Sequence, residues 1–456
     1  MKAIKSLFII AAALLLAASC NKDNTILTKV PARPAGQTDV IALAVPAIDT
    51  VRIGFIGLGM RGNGAIDRFI HMPGARIAAL CDIVPDRVEA NCAKVVAAGF
   101  EAPACYSGDE ECWKQLCERD DIDLVYVCTD WKKHAMMGVY AMEHGKHVAI
   151  EVPAAMNLEE IWALINTSEK TRRHCMQLEN CCYDFFELTA LAMAQAGVIG
   201  EVIHAEGAYL HNLDEYWNEY YGNWRLDYNA SHKGDFYPTH GLCPVCQALN
   251  IHRGDRLTTL VSMGTDAFNG PKILAAKGQE DTTFADSDQT TTMIRTAKGK
   301  TILIEHDVMT PRPYNRMYQL VGTDGYLGKY PVPQGCIRSE SHLLQGYDDL
   351  GGELVLEGAE LDSLMAKYPN PILNEDLERV AKEVGGHGGM DFIMDYRLIY
   401  CLRNGLPLDM DVYDLAESCC LCELTGISIE NGNAPVEVPD FTRGGWDKTA
   451  GFSYAF

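Results

Sequence analysis

Short apolar runs alternate with longer amphipathic segments along residues 51–150. The apolar runs predict buried strands at Val51–Ile56, 75–81, 124–128 and His147–Ile150. The segments between them have helical periodicity and predict helices at 62–72, 86–98 and 133–144. This alternation is typical of a parallel α/β sheet, in which the carboxyl ends of the strands meet at one crevice.

The pattern changes after Pro153. Helical periodicity at 158–173 and 183–196 gives way to strand-like runs at 201–209, 258–263, Thr290–Thr296, Thr301–Asp307 and 317–322. We therefore predict a dinucleotide-binding domain at 51–153 and an α+β domain at 154–456 with a large, mostly antiparallel open sheet. One face of such a sheet is free for substrate or for a second copy, which leaves a homo-oligomer open.

The first residues have the composition of an export signal. Lys2 and Lys5 precede an apolar run at 7–18, and residues 17–20 read Ala-Ala-Ser-Cys. This string resembles a bacterial lipobox, which implies a signal peptide at 1–20, lipid attachment at Cys20 and a membrane-anchored protein in the periplasm or at the cell surface. An ordinary secretory leader is the alternative. Residues 21–50 contain proline and alanine without a period and predict a tether.

Charge and cysteine placement exclude several classes of protein. The formal net charge is -23, and no basic stripe is present that could bind a nucleic-acid backbone. The 17 cysteines include adjacent pairs and lie mostly in apolar runs, which predicts small buried side chains and not a disulfide framework. Cys243 and Cys246 form a solitary CxxC motif, so we predict no metal site.

A glycine motif directly follows the first predicted strand. Gly57, Gly59 and Gly62 form GxGxxG at the start of a helix, where they permit a tight turn, backbone approach to a pyrophosphate and close helix packing. Asp82 ends the second strand, where its carboxylate can bind the adenosine ribose hydroxyls. These residues predict NAD as the cofactor, while nearby Arg87 leaves NADP open.

The segments 52–62, 79–82 and 126–152 resemble the Gfo/Idh/MocA sugar-oxidoreductase family, which joins a Rossmann domain to an open-sheet substrate domain. That family usually has Glu-Lys-Pro after the fourth strand, whereas this chain has Glu151, Val152 and Pro153. In the family, the lysine commonly assists the proton transfer that accompanies hydride transfer. Its absence indicates a different reaction.

Five strings are similar to glycoside hydrolase family 109, known for NAD-dependent α-N-acetylgalactosaminidase activity: 129–134, 177–180, 223–225, 237–241 and 387–391. Cys243 departs from the family, which has glycine there. The resemblance implies that NAD contacts Met60, Arg61, Asp82, Trp131, Lys132, Lys133, His134, Glu151, Val152 and Asn180. It also implies a sugar site lined by Tyr209, Arg225, Tyr237, Pro238, Thr239, His240 and Tyr314.

The implied chemistry begins with removal of a hydride from sugar C3, which acidifies the C2 proton. Loss of that proton expels the C1 substituent, water adds, and the hydride returns. Such a path needs a base that titrates near neutrality, and His240 with Tyr237 beside it is the leading candidate. Tyr183 and His387 are the alternatives.

Two other functions remain open at this stage. One is an NAD-dependent sugar dehydrogenase that releases NADH, against which the missing lysine argues. The other is a lipoprotein that binds glycans without catalysis, for which the aromatic segment 216–224 supplies flat rings suited to sugar faces.

Overall fold

The computed structural model describes residues 24–279, 282–337 and 355–456. The predicted signal peptide and Cys20 lie outside the described residues. Across the described part of the chain, no helix combines the length and apolar character needed to cross a membrane.

A six-stranded, fully parallel sheet forms the N-terminal domain, in the order β3-β2-β1-β4-β5-β6. This is the strand order of the Rossmann fold. The strands are β1 (Val51–Ile56), β2 (Ala75–Asp82), β3 (Ala104–Ser107), β4 (Leu124–Val127), β5 (His147–Ile150) and β6 (Cys175–Gln177). The four predicted strands are present. β3 escaped prediction because its residues alternate between partly buried and exposed and form no apolar run, and β6 is only three residues long.

Helices connect these strands on both sides of the sheet. They are α1 (Met60–Phe69), α2 (Pro85–Ala97), α3 (Cys112–Cys117), α4 (Trp131–Glu143) and α5 (Leu158–Thr171). α5 starts at Asn157, whose side chain accepts a hydrogen bond from the Glu160 backbone nitrogen. Because β6 follows α5 and pairs with β5, the parallel sheet continues beyond the predicted boundary at 153 and ends at Gln177.

The second domain is built on a nine-stranded sheet in the order β14-β13-β12-β11-β7-β10-β9-β8-β15. All its pairings are antiparallel except β7 with β10, as predicted for a mostly antiparallel open sheet. The strands are β7 (Val202–Leu210), β8 (Leu257–Gly264), β9 (Thr290–Thr296), β10 (Thr301–Asp307), β11 (Gln319–Gly322), β12 (Gly325–Gly328), β13 (Gln334–Ile337), β14 (Leu356–Glu357) and β15 (Val436–Glu437).

Helices pack on one face of this sheet, while Val261, Met263 and Met293 are exposed side chains of β8 and β9. The helices are α6 (Phe185–Gln195), α7 (Trp224–Ser231), α8 (Thr239–Leu249), α9 (Gly270–Ala276), α10 (Gly358–Met365), α11 (Glu375–Val384), α12 (Met390–Asn404), α13 (Val412–Cys419) and α14 (Leu421–Glu430). Short 3-10 turns lie at Asn180–Tyr183, Tyr221–Asn223 and His387–Gly389.

Helix α8 lies directly on the backbone of β7. A Cβ atom added to Gly207 would stand 2.2 Å from the Gly241 carbonyl oxygen, and one added to Gly241 would stand 2.4 Å from the Ala208 nitrogen. Only glycine at both positions permits this approach. The contact places His240, one residue before Gly241, beside the side chains at the end of β7.

The segment before β1 packs against the protein, contrary to the tether predicted for 21–50. Val40 and Leu43 are 2% and 8% exposed, and the backbone of Ile26 bridges Val436. Arg33 forms a 3.0 Å ion pair with the buried Glu169 of α5. Residues 24–50 therefore form a strap, because burial of their apolar side chains outweighs the flexibility that composition suggested.

Most cysteines within the described residues are buried, as predicted for small apolar side chains. Cys243 and Cys246 are 4% and 7% exposed. They pack as small apolar side chains, as expected for a solitary CxxC motif.

Candidate active site

The glycine loop after β1 has the geometry of a phosphate cradle. Gly57 has a φ of +88°, and a Cβ there would lie 2.5 Å from the Cys128 carbonyl oxygen. A Cβ at Gly62 would lie 1.9 Å from the Gly57 oxygen. At Gly59, by contrast, the nearest atom belongs to the flexible Arg87 side chain at 3.5 Å. Packing therefore requires Gly57 and Gly62, whereas Gly59 leaves open the backbone that a pyrophosphate would approach.

The loop borders a cavity of about 360 Å³ between the two domains. Asp82 accepts hydrogen bonds from the backbone nitrogens of Leu58 (2.6 Å) and Val84 (2.8 Å). These bonds hold the carboxylate at the end of β2, where it lines the cavity. Met60, at the start of α1, is 53% exposed and also lines it. The open cradle, the acid at the end of β2 and the cavity together fit a dinucleotide.

Arg61 lines this cavity and forms hydrogen bonds to one carboxylate from each domain. Its Nε donates to Glu151 Oε1 at 2.8 Å, and its Nη1 donates to Asp391 Oδ2 at 3.0 Å. Glu151 directly follows β5 and is 5% exposed. The two carboxylates hold the guanidinium at the edge of the cavity, where it can contact a phosphate or ribose.

The segment 131–134 was expected to contact NAD, but its side chains have different surroundings. Trp131 is buried against Trp224, and Lys132 is exposed. Lys133 lines the cavity. His134 is 1% exposed, with Nδ1 2.8 Å from the Pro153 oxygen and Nε2 2.9 Å from the Thr129 oxygen.

The His134 side chain does not line the cavity, which corrects the expectation for it, because the ring is buried between these two backbone carbonyl oxygens. Burial also lowers its pKa. The ring holds together the loops after β4 and β5. Val152 is 5% exposed, so this residue can contact a ligand only through its backbone. Asn180 is buried and donates from Nδ2 to Asp391 Oδ1 at 2.5 Å.

Most of the predicted sugar-site residues meet in one aromatic cluster. The Tyr237 ring centroid lies 4.5 Å from that of Tyr209 and 4.9 Å from that of His240. Tyr314 approaches Tyr209 at 6.3 Å. Tyr209 ends β7, and His240 lies in the first turn of α8. The glycine contact between those two elements therefore sets the spacing of the cluster.

Two members of the predicted set do not present side chains to this cluster. Thr239 is fully buried, and Pro238 is buried at the start of α8. They shape the turn that carries Tyr237 and His240. Tyr183, an alternative base, is 1% exposed, and its hydroxyl donates to Asp409 at 3.3 Å, so it is excluded.

A buried carboxylate orients His240. Glu179 is 0% exposed, and its Oε1 lies 2.7 Å from His240 Nδ1 and also accepts from the Cys181 backbone nitrogen at 3.0 Å. Burial alone would raise the pKa of Glu179, but the contact with His240 more than offsets it and the pKa is lowered. An ionised Glu179 fixes the proton of His240 on Nδ1 and leaves the Nε2 lone pair available as a base.

Sequence reasoning missed the role of Glu179, although the residue lies in the string 177–180. It also missed His211, whose Nδ1 lies 2.7 Å from the Tyr209 hydroxyl oxygen. Burial lowers the pKa of His211 to about 4 and raises that of Tyr209 to about 12. Burial also raises the pKa of Tyr237 well above its ordinary value. At neutral pH both tyrosines are therefore protonated, and their hydroxyls can act as hydrogen-bond donors.

Arg225 adds a cation to the cluster. Its guanidinium carbon lies 4.7 Å from the Tyr237 ring centroid and 5.0 Å from that of Trp131. Nη1 donates to the Tyr220 hydroxyl at 2.6 Å, while the buried Nε has no hydrogen-bond partner in the described structure. No carboxylate within the described residues forms an ion pair with it. Such a cation has donors left for a ligand.

The fold and this site define a class: an NAD-binding Rossmann domain followed by an open-sheet domain that carries the reacting groups. A family model described as "Oxidoreductase family, NAD-binding Rossmann fold" matches residues 51–178. A model described as "Glycosyl hydrolase 109, C-terminal domain" matches residues 183–448. The chain belongs to glycosyl hydrolase family 109.

Relatives and solved structures agree with this assignment. A "Glycosyl hydrolase family 109 protein 1" of Bacteroides thetaiotaomicron is 63% identical over 440 residues, covering 95% of this chain and 94% of the relative. A "Glycosyl hydrolase family 109 protein" of Porphyromonas gingivalis is 61% identical, covering 94% and 92%. Levoglucosan dehydrogenase in complex with NADH is 18% identical, with a TM-score of 0.61 and coverage of 86% and 99%, and this likeness shows the fold alone.

Proposed function

We propose that this protein hydrolyses terminal α-linked N-acetylgalactosamine from glycans by a route that passes through temporary oxidation of the sugar. The observation that carries the proposal is the His240–Glu179 pair, set in an aromatic cluster next to the dinucleotide cavity of a family 109 protein. Retaining and inverting glycosidases place two carboxylates across the scissile bond, and NAD-dependent hydrolases depart from that arrangement.

Bound NAD supplies a hydride acceptor that is restored within each turnover, and a ketone at C3 makes the C2 proton acidic. His240 Nε2 then takes the C2 proton, and Glu179 stabilises the imidazolium that forms. Tyr209 and Tyr237 remain protonated, so their hydroxyls donate to the enolate oxygen or to the leaving group. With the C2 proton gone, the C1 substituent leaves without prior protonation by a strong acid.

Arg225 supports the preference for an N-acetyl sugar. Its unpartnered Nε and its remaining Nη hydrogens form a fork that fits a carbonyl oxygen. The acetamido carbonyl of N-acetylgalactosamine offers such an acceptor next to C2. The surrounding aromatic rings can stack on the apolar face of the sugar.

The test is cleavage of 4-nitrophenyl α-N-acetylgalactosaminide in D₂O by purified protein. We expect nitrophenol release without accumulation of NADH, and deuterium at C2 of the released sugar. His240→Ala removes the activity, and stripping the cofactor removes it reversibly. Retention of the original C2 hydrogen would show that this carbon is never deprotonated, and steady formation of NADH would instead identify a sugar dehydrogenase.

We also propose export and membrane anchorage through Cys20, supported by the string at residues 17–20. The mass of the N-terminal peptide from membranes distinguishes a diacylated cysteine from an ordinary cleaved leader. Cys20→Ala is expected to release the protein from the membrane fraction.

A further inference from the structure

Asp391 is a buried carboxylate of the second domain that accepts a hydrogen bond from Arg61, a side chain that lines the cofactor cavity. It is the second residue of α12 and is 1% exposed. The preceding turn includes Gly386 with a φ of +84°, where an added Cβ would lie 2.8 Å from the Asp391 Cβ. The glycine turn is therefore packed against this side chain and holds it in place.

Both oxygens of Asp391 accept hydrogen bonds from residues around the cavity. Oδ1 accepts from Asn180 Nδ2 at 2.5 Å, and Oδ2 accepts from Arg61 Nη1 at 3.0 Å. His387 Nδ1 lies 2.9 Å from Oδ2, and Arg68 Nη1 lies 3.5 Å from it. One carboxylate thus connects α1, the turn after β6 and the turn before α12.

The negative charge of Asp391 is stabilised by the cationic side chains around it. Burial would raise the pKa of Asp391, but Arg61, His387 and Arg68 together hold it well below its ordinary value. Asp391 is therefore an anion among cationic and amide donors, which makes its hydrogen bonds charge-assisted and directional.

We propose that Asp391 is a positioning residue through which the second domain controls NAD affinity, by holding Arg61 and Asn180 in the orientation that contacts the cofactor. This rests on the proposed function in one respect, namely that Arg61 and Asn180 contact NAD. Asp391 itself acts through these two side chains.

Asp395 offers a matched control on the same helix. It lies one turn later, is 0% exposed, and accepts from Arg68 Nε at 2.6 Å and from the Tyr126 hydroxyl at 2.9 Å. It makes no hydrogen bond to Arg61 or Asn180 within the described structure. Replacement of Asp395 disturbs the same helix and the same type of ion pair without reaching the cavity.

The experiment compares NAD dissociation constants of the full protein after removal and titration of the cofactor. We expect Asp391→Asn to weaken NAD binding about 10- to 100-fold, since charge-assisted hydrogen bonds are lost. Asp395→Asn is expected to lower the unfolding midpoint but to leave NAD affinity unchanged. At saturating NAD, turnover of the Asp391→Asn protein is expected to recover, because the groups proposed to react with the sugar are intact.

Asp391→Glu and Asp395→Glu form a second pair of variants that keeps the negative charge. If Asp391→Asn does not fold, this pair tests whether Asp391 controls NAD affinity. The displaced carboxylate of Asp391→Glu is expected to weaken NAD binding while Asp395→Glu does not. Equal NAD affinity in wild type and Asp391 variants, or equal losses in both pairs, would overturn the proposal. Cofactor titration does not depend on hydrolysis, so a wild-type protein that binds NAD but cleaves no glycoside refutes only the proposed function.

Discussion

Glu179→Gln isolates the contribution of the carboxylate to proton transfer by His240. The change keeps the shape of the side chain and removes its negative charge. In the folded protein Glu179 Oε1 lies 2.7 Å from His240 Nδ1, and the side chains are 0% and 11% exposed, so solvent screens the pair little.

The expected loss follows from this geometry. Two unit charges about 4 Å apart attract by about 4 kcal/mol at an effective dielectric constant of about 20. Glutamine retains a neutral hydrogen bond to the ring, so the net loss is about 1.5–3 kcal/mol, the value of a hydrogen bond to a charged group. This corresponds to a fall in kcat of about 10- to 150-fold.

The assay is release of nitrophenol from 4-nitrophenyl α-N-acetylgalactosaminide across a pH series, with NAD content measured on the same samples. Glu187→Gln is the control, since Glu187 is also buried but pairs with Arg316 and Lys329. Burial raises the pKa of Glu187 to about 7, so a neutral amide is tolerated there. A folded, NAD-loaded Glu179→Gln protein with unchanged kcat refutes the assignment of Glu179 as the residue that supports proton transfer by His240.

Three further outcomes follow from single side chains. Burial raises the pKa of Asp235 to about 7 from 3.8, so the folded state retains a proton that the unfolded state has lost. The free energy of unfolding therefore falls by up to about 4 kcal/mol as pH rises from about 4 to 7. Urea unfolding across this pH range should show that Asp235→Asn removes the loss, and parallel pH curves for the variant and wild type contradict the assignment. Arg225→Lys, which cannot present a fork, is expected to raise KM about tenfold at unchanged NAD affinity, and an unchanged KM removes Arg225 from the sugar site. Gly241→Ala forces α8 away from β7 and is expected to lower the free energy of unfolding by about 1–3 kcal/mol and to reduce activity. Gly64→Ala is its control, because a Cβ there meets only Arg68 Nη1, at an ordinary van der Waals distance of 3.7 Å.

Local patterns predicted the parallel sheet and the cofactor cradle well. The strand before GxGxxG, the helix after it and Asp82 at the end of β2 are all local features, and each is confirmed in the fold. β3 was missed because it has no continuous apolar run, and β6 because its three residues are stabilised by pairing with β5 and not by their own periodicity. The predicted domain boundary at 153 was wrong because β6, which lies beyond it, pairs with β5 in the parallel sheet.

Long-range packing decided the remaining features. The strap at 24–50 was predicted as a tether because its apolar residues have no period, and only the folded surface shows where Val40 and Leu43 are buried. His134 was expected in the cavity, yet its position relative to two carbonyl oxygens follows from the loops after β4 and β5.

The candidate active site divides along the same line. Sequence motifs were enough to identify His240, Tyr237, Tyr209 and Arg225, and these residues meet in one cluster. The carboxylate that orients His240 and the one that joins Arg61 to Asn180 became evident from the packing of the folded chain. Hydrogen-bond partners 61 to 330 residues apart are selected by the packing of whole elements, which no local pattern encodes.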